Sequence, residues 1–432
     1  MGSSKNLLAT RNGRFLTFGL LYISEGIPYG FTSIAMVAFM RQQSVSLELI
    51  GAFVGALFLP WAFKWAWAPI VDLVKLHRLG GRKAWIIFCT LMMIATLMVT
   101  AMVDFKENFR LLLAMIVLNN LFCATQDVAI DSLAVSTFRE NERGRANGFM
   151  FAGQYFGIAL GGSGAIFVYG YFGFEIALAY ISSLLFINLL FVVFYVHDPS
   201  ANPDAKPQEH AARNLVTHLI SFVKEVYESF WKSGSGPMLG VAFALLPIGA
   251  FALAYAMLST IQVDYGLTEN QIASLMLYNT LTSAVGCIIG GMLGDRFGKK
   301  KVVAIAYFLT TLPTLALGLQ ISSLGLQSVP LAQLYGIVII HGLFFGMAFG
   351  VRNAIFMGMT NPAVAATQFT AFMAMSNLAI SFGNFWQGYV AERMDYSTVL
   401  YLDSLLGLLV IAIIPFLRNR EKMPANAEPV PS

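Results

Sequence analysis

We single out six ionisable side chains within the long apolar stretches of this sequence as the residues best suited to chemistry. In chain order they are Glu25, Lys64, Asp127, Asp131, His341 and Arg352. A charge held in hydrocarbon costs roughly 2.5–3.5 kcal/mol on insertion scales, so each of these residues needs a partner or a function. Carboxylates and histidine can exchange protons, whereas lysine and arginine can pair with anions.

Asp127 and Asp131 are four residues apart, so on a helix they share one face with Asn120 and Ala124. Two carboxylates this close resist ionising together, and a carboxyl group held near neutrality can load a proton on one side of a membrane and release it on the other. Lys64 is expected at a depth similar to Asp127. The two therefore form either a structural ion pair or a pair that protonation breaks.

Glu25 lies in the stretch Ser24–Gly30, whose glycines and proline should weaken a helix. Broken helices often mark binding sites in membrane proteins, although a harmless kink is the alternative. Glu25, Asp127 and Asp131 are our candidates for carrying a proton. For Asp131, the alternative is a solvated helix end.

Arg352 and His341 supply cationic chemistry in the second half of the chain. Arginine keeps its charge, so Arg352 must bind an anionic substrate group or an intramolecular partner. His341 either joins it or serves as a hydrogen-bonded packing residue. The neutral candidates for substrate contact, which could also simply join helices, are Gln126, Gln154, Tyr155 and Asn377.

The composition excludes a water-soluble globule. Of the 432 residues 57% are hydrophobic and 12% are charged, against roughly 25% charged in a typical soluble domain. The basic residues, which give a net charge of +4, sit in short loops, so no nucleic-acid partner is expected. Cys89, Cys123 and Cys287 lie in apolar runs without disulfide or metal spacing. We predict no metal and no cofactor.

The apolar runs are long enough for helices that cross about 30 Å of hydrocarbon. They predict an all-α membrane protein of about twelve helices: 15–38, 48–71, 84–103, 110–136, 147–168, 174–197, 238–263, 270–292, 302–322, 330–358, 368–388 and 396–417. Residues 1–197 form one six-helix half and 238–418 the other. Residues 198–237 form a linker with an amphipathic patch at 215–231, and 419–432 a disordered tail.

The loops differ in charge between the two sides. One side collects most of the lysines and arginines, which predicts that it is cytoplasmic, together with both termini and the linker. These residues are Lys75, Arg78, Arg82, Lys83, Arg139, Arg143, Arg145, Arg296, Lys299, Lys300, Lys301, Arg418, Arg420 and Lys422. The protein is therefore predicted in the bacterial inner membrane.

A basic, glycine-containing loop follows the second helix of each half, which indicates an internal repeat of half the chain. The second copy, Gly291–Lys301, reads GMLGDRFGKKK. It resembles the G-x-x-x-D-R-x-G-[RK]-[RK] loop of the major facilitator transporters, which have two six-helix halves. The resemblance implies that Asp295 and Arg296 help to latch the halves when the outer side is open. In the stretched first copy, Asp72 has the corresponding place. It also implies a central cavity lined by helices 1, 4, 7 and 10, which carry all six ionisable residues except Lys64.

Further stretches resemble one branch of that superfamily, the peptide/acetyl-coenzyme A/drug transporters. This branch includes AmpG-type muropeptide permeases, RhtX/FptX-type siderophore permeases and acetyl-coenzyme A transporters. The matching stretches are GIPYG at 26–30, FKWAWAP at 63–69 with Asp72, GRKAW at 81–85, ATQDVAID at 124–131 and ERG at 142–144. The resemblance implies proton-driven import of a bulky polar solute by a monomer. Many muropeptide permeases continue beyond a twelfth helix, so the length favours a siderophore as much as a muropeptide.

Two other classes of function were weighed. An exporter of amphipathic drugs would use the same fold, and its loss would sensitise cells without changing nutrient uptake. A membrane-embedded enzyme is disfavoured because the sequence lacks the His-Glu-x-x-His pattern and any serine–histidine constellation. We therefore expect a transporter and not an enzyme.

Overall fold

The computed structural model describes residues 6–68, 71, 80–102, 108–138, 143–198, 235–359 and 365–417, together with nine residues between 217 and 231. Every regular element in this part of the chain is helical. Asp72 and the tail beyond residue 417 lie outside it.

The helices of the N-terminal half form spans 1 to 6. Span 1 runs without interruption from an α-helix through a π-helical turn into a second α-helix, and span 5 is built in the same way. The bounds are Arg11–Gly30, Phe31–Ala35 and Met36–Gln42 for span 1, Leu47–Phe63 with Lys64–Ala66 for span 2, Arg82–Ala101 for span 3, Phe109–Thr137 for span 4, Arg143–Ala159, Leu160–Gly164 and Ala165–Phe172 for span 5, and Phe174–Tyr195 for span 6.

The C-terminal half repeats this order as spans 7 to 12. The bounds are Ser235–Ala244 and Ala256–Tyr265 for span 7, Glu269–Phe297 for span 8, Lys299–Leu324 for span 9, Leu331–Met359 for span 10, Ala365–Arg393 for span 11, and Tyr396–Ile411 with Ile414–Phe416 for span 12. Since the number of spans is even, the chain enters and leaves the bundle at one end. The described basic residues Arg82, Lys83, Arg296 and Lys299–Lys301 lie there too, and we call it the basic end.

Nine helices of the described residues are long and apolar enough to cross a membrane by length and composition. They correspond to all spans except 1, 7 and 11. Neither helix of span 7 exceeds 10 residues, and spans 1 and 11 carry more polar side chains. The three spans that depart from a plain apolar helix all face the other half of the molecule.

The two halves contact each other through spans 1, 2 and 5 on one side and spans 7, 8 and 11 on the other. Spans 2 and 11 pack most closely because glycines face each other. A Cβ placed on Gly388 would lie 2.9 Å from the Cα of Gly51. Only glycine allows two backbones to approach so far, as in other membrane helix pairs.

The break in the helical path falls in span 7, and the continuous helix expected over 238–263 is wrong. Pro247 cannot donate a backbone hydrogen bond, and Gly249 has a positive φ of 65°. Span 1, where weakening was expected, stays helical through Pro28, and the π-helical turn at Phe31–Ala35 follows.

Candidate functional site

Spans 1, 2 and 4 bring together a buried cluster of acidic groups around one lysine. The Lys64 Nζ forms the expected ion pair with the Asp127 carboxylate, and it lies 3.9 Å from Asp131 Oδ2. The Tyr22 hydroxyl donates to Asp131 Oδ1 at 2.6 Å. Lys64 reaches both aspartates because span 2 ends in a 3-10 turn at Lys64–Ala66, close to span 4.

Glu25 of span 1 completes this cluster. Gln154 of span 5 donates its Nε2 to Glu25 Oε1 at 2.6 Å, so the predicted candidate Gln154 lies beside the predicted acid. The second oxygen, Oε2, is buried and accepts no hydrogen bond. Glu25 lies within electrostatic reach of Asp127, Asp131 and Lys64. A proton on Oε2 would turn this unsatisfied acceptor into a donor facing its acidic neighbours.

The charges of the cluster do not balance. Three carboxyl groups face one ammonium, and Glu25 and Asp127 are each only 3% exposed. Burial of uncompensated charge is costly, so the arrangement favours retention of a proton among the carboxyl groups. Asp131 differs from the other two, because its side chain is 45% exposed. It is six residues from the end of span 4 at the basic end, about 9 Å along the helix axis.

Gln126 belongs to the interior of the N-terminal half. Its Oε1 accepts from the Ser24 hydroxyl at 3.2 Å, and its Nε2 donates to Thr90 Oγ1 at 2.6 Å. The carboxamide is therefore engaged with spans 1 and 3 next to the acidic cluster. A role for Gln126 in contacting substrate remains a prediction.

Arg352 braces the broken span 7. It is 1% exposed, and its Nη2 donates to the carbonyls of Phe243, Ala244 and Leu246 at 2.8, 2.9 and 2.9 Å. These carbonyls lie where the first helix of span 7 ends, and of the three only that of Phe243 also accepts a backbone N–H of the described residues, from Leu246 at 3.2 Å. The guanidinium also lies over the rings of Phe243 and Phe356. Nη2 thus has intramolecular partners, one of the two alternatives, whereas Nε and Nη1 are buried without a hydrogen bond to the described residues, so binding of an anionic substrate group stays a prediction.

Polar side chains from four other spans hold the unwound segment of span 7 farther along. The His341 Nε2 lies 2.9 Å from the carbonyl oxygen of Ala250, and since a carbonyl only accepts, this nitrogen carries the proton. The others each accept from a backbone N–H of the segment: Thr310 Oγ1 from Ala250 at 3.1 Å, Asp403 Oδ2 from Ala252 at 2.8 Å and Asn384 Oδ1 from Ala256 at 3.3 Å.

Asp403 was missed by the sequence analysis. It is fully buried in span 12, and Gln387 also donates to its Oδ1 at 3.1 Å. The signal was available, because an aspartate within an apolar run meets the same criterion that selected Glu25. Tyr22 was missed for another reason: the sequence does not show which residue of a neighbouring helix faces Asp131.

The remaining predicted residues are dispersed. The Tyr155 hydroxyl lies 3.3 Å from Cys287 Sγ of span 8, a contact between the two halves. Asn377 is half-buried in span 11. Asp295 and Arg296 are exposed at the end of span 8, with the Arg296 guanidinium over the Phe297 ring. The latch therefore stays a prediction, and Asp72 lies outside the described residues.

A row of aromatic rings crosses between the halves one helical turn beyond Glu25. Tyr29 meets Phe58 at a ring-centre distance of 6.0 Å, Phe58 meets Tyr255 of span 7 at 5.6 Å, and Tyr255 meets Phe345 at 6.0 Å, all edge to face. Tyr255 begins the second helix of span 7. The unwound segment thus positions a ring that touches the opposite half.

Polar contacts join the halves at the end opposite the basic end. Arg41 of span 1 donates its Nε and Nη2 to the two carboxylate oxygens of Asp264 in span 7, both at 2.6 Å. The Tyr396 hydroxyl donates to the same carboxylate at 2.6 Å. Arg393 pairs with Glu48 at 2.9 Å. This end of the bundle is closed.

Two six-helix halves, the first with a buried acidic cluster among its own spans and the second with a broken helix at the interface, define a multi-pass membrane carrier. The chain belongs to the Major Facilitator Superfamily, whose family model matches residues 15–257 and 239–432. The fold class predicted from the sequence is thereby confirmed.

Known relatives are similar along nearly the whole chain. A Rickettsia conorii protein named as transporter AmpG 4 is 23% identical, with 94% of this chain and 97% of the relative covered. The anhydromuropeptide permease of Escherichia coli is 22% identical, with 95% and 82% covered. The predicted resemblance to AmpG-type permeases is confirmed by these relatives.

Solved structures show the same fold. The nucleoside transporter NupG superposes with a TM-score of 0.68 at 17% identity, covering 94% of this chain and 99% of that chain. An inward-open structure of the xylose transporter XylE from Escherichia coli gives 0.69 at 13% identity, covering 94% and 96%.

Proposed function

We propose that this protein is a proton-coupled symporter that imports anhydromuropeptide-type solutes across the bacterial inner membrane. The similarity to relatives named AmpG and anhydromuropeptide permease supports the substrate class. The length of the chain does not count against it, because the chain covers 97% of the Rickettsia conorii relative.

The observation that carries proton coupling is the cluster of Glu25, Asp127 and Asp131 around Lys64. With all four groups ionised, a buried site would hold two excess negative charges, which low-dielectric surroundings disfavour. A proton entering the cluster weakens the hold of Asp127 on Lys64. Because these residues lie on three different spans, a change in their pairing acts on how the N-terminal half packs.

The proposed direction, import, follows the relatives named as permeases, and the charge and conformation of the chain are compatible with it. By the positive-inside rule the basic end is cytoplasmic, so the end joined by Arg41 and Asp264 is periplasmic. The bundle is closed at that end, while Asp295 and Arg296 are exposed at the cytoplasmic end. A carrier whose periplasmic end is held shut in this way is expected to release its substrate on the cytoplasmic side.

Uptake by right-side-out membrane vesicles tests the proposal. Vesicles containing the protein should accumulate labelled anhydromuropeptide when the outside is made acidic, and a protonophore should abolish the accumulation. Ferric siderophore and acetyl-coenzyme A serve as competitors. If either of them is accumulated while the muropeptide neither enters nor raises the melting temperature of the purified protein, the substrate class is wrong. If a protonophore does not change the uptake of muropeptide, the proposal of proton coupling is wrong.

Alternating access predicts that removing the periplasmic ion pair favours outward opening. Arg41→Ala deletes a bidentate pair whose side chains are 22% exposed, so we expect it to contribute about 1 kcal/mol to closure. That corresponds to a roughly fivefold shift toward the outward-open state. A cysteine at Gln262, which is buried near this end, should react correspondingly faster with a membrane-impermeant maleimide.

The matched control is the reversed pair. Arg41→Asp with Asp264→Arg should return the labelling rate toward that of the wild type, whereas Asp264→Ala added to Arg41→Ala should have little further effect. The background replaces the three native cysteines with serine. An unchanged rate in Arg41→Ala would show that the pair does not hold the gate.

A further inference from the structure

The segment between the halves carries an exposed apolar stripe, which we call the linker stripe: Ile220, Val223, Tyr227 and Trp231. Their exposed fractions are 64%, 52%, 63% and 62%. The described residues here are helical, and a spacing of three or four residues places the four side chains on one face. Ile220, Val223 and Tyr227 line one shallow groove together with Lys224. Such a stripe is unfavourable in water.

Phe230, next to the linker stripe, has a definite depth because its ring is inserted into the bundle. Phe230 is 7% exposed, and its ring lies 5.8 Å from Phe372 of span 11. Phe372 also lies against Gly240 of span 7. Counted from the first residues of these spans, Phe372 and Gly240 lie about 10 and 8 Å along the helix axes from the basic end.

That depth coincides with the membrane boundary. Span 11 has 29 residues and is about 43 Å long, so it exceeds a hydrocarbon core of about 30 Å by roughly 6 Å at each end. Phe372 therefore lies a few ångströms inside the hydrocarbon. Trp231, which follows Phe230 directly, is held close to the level where lipid headgroups meet acyl chains.

We propose that the linker stripe lies in the lipid surface at the basic end and anchors the connection between the two halves to that leaflet. Tyrosine and tryptophan are the residues that favour this level of a bilayer. Lys224 borders the stripe, where its ammonium can meet anionic headgroups. Ser221 and Glu228 lie on the polar flank of the apolar face, at about 80–100° from Ile220 on a helical wheel.

Lipid is the occupant that the geometry favours over a second copy of the chain. Phe230 anchors the stripe against the bundle at the level of the membrane boundary, where lipid surrounds the protein in any membrane. Which leaflet the linker stripe contacts depends on the proposed orientation of the protein. Contact with lipid itself does not depend on that orientation. The anchor also holds whether or not the protein transports muropeptides.

Spin labels placed one at a time at positions 223, 227, 221 and 228 test the anchor in nanodiscs of phosphatidylethanolamine and phosphatidylglycerol. Power saturation compares collisions with oxygen, which concentrates in lipid, and with a water-soluble nickel chelate. Labels at 223 and 227 should report depths of about 5–10 Å below the headgroup surface, and labels at 221 and 228 should favour the nickel chelate.

Two results would overturn the anchor. Labels at 223 and 227 that favour nickel would place the linker stripe in water. Spin–spin broadening that disappears on dilution with unlabelled protein would assign the stripe to a second copy. A variant gives an independent check: Ile220→Glu should make the spin label at position 227 shallower in the bilayer. Ser221→Glu, on the polar side, should leave the depth of that label unchanged.

Discussion

Replacing Asp127 by asparagine should abolish accumulation while sparing exchange of substrate across the membrane. Asparagine keeps the size and one acceptor oxygen of the aspartate but cannot gain or lose a proton. The variant therefore resembles the protonated form permanently. A gradient of one pH unit supplies about 1.4 kcal/mol for one proton, enough for roughly tenfold accumulation. Without coupling, the internal concentration should only reach the external one.

Two measurements on the same vesicles separate coupling from folding and binding. Counterflow, in which labelled substrate exchanges with preloaded unlabelled substrate, needs no net proton movement and should persist in Asp127→Asn. Asp131→Asn is the matched control, because it makes the same chemical change one helical turn away, at a side chain that is 45% exposed. We expect it to lower accumulation less. Normal accumulation by Asp127→Asn that a protonophore still collapses would exclude Asp127 as the coupling group.

The ion pair between Lys64 and Asp127 was predictable because each is a charged residue within an apolar run. A lysine and an aspartate in apolar runs must be compensated, and counting from the helix ends places Lys64 and Asp127 at one depth. The contacts between Tyr22 and Asp131 and between Gln154 and Glu25 were not predictable in this way. They depend on the rotation of each helix about its axis, which side-chain packing sets across the whole bundle.

Span 7 shows a second feature that could not be predicted from the sequence. Pro247 and Gly249 mark a turn by local rules, but the surrounding residues are apolar enough to predict one continuous helix. An unwound segment can exist in a membrane only where other side chains satisfy its backbone. Those side chains, on spans 9 to 12, are 60 to 150 residues away along the chain, so local patterns do not reveal them.

Replacing Arg352 by leucine should destabilise the C-terminal half rather than merely weaken substrate binding. The variant leaves the carbonyls of Ala244 and Leu246 without the Arg352 donor, while the carbonyl of Phe243 keeps the Leu246 N–H at 3.2 Å. An unsatisfied buried group costs about 1–3 kcal/mol, so the loss of the donor to two carbonyls should lower the free energy of unfolding by about 2 kcal/mol or more. Thermal unfolding of the purified protein, followed by loss of the monodisperse peak in detergent, measures the effect.

Graded variants decide between a brace and a substrate ligand. Thr310→Val removes a single acceptor from the same segment and should cost about 1 kcal/mol. Arg352→Lys keeps the charge but not the planar fork, so its stability should fall between those of the wild type and Arg352→Leu. If Arg352 instead binds substrate, the pattern should be the opposite. Arg352→Leu should then be as stable as the wild type but have a lower affinity for substrate. Because the guanidinium is already engaged by span 7 and lies over two aromatic rings, we expect the stability of the three variants to follow the number of backbone groups left unpaired.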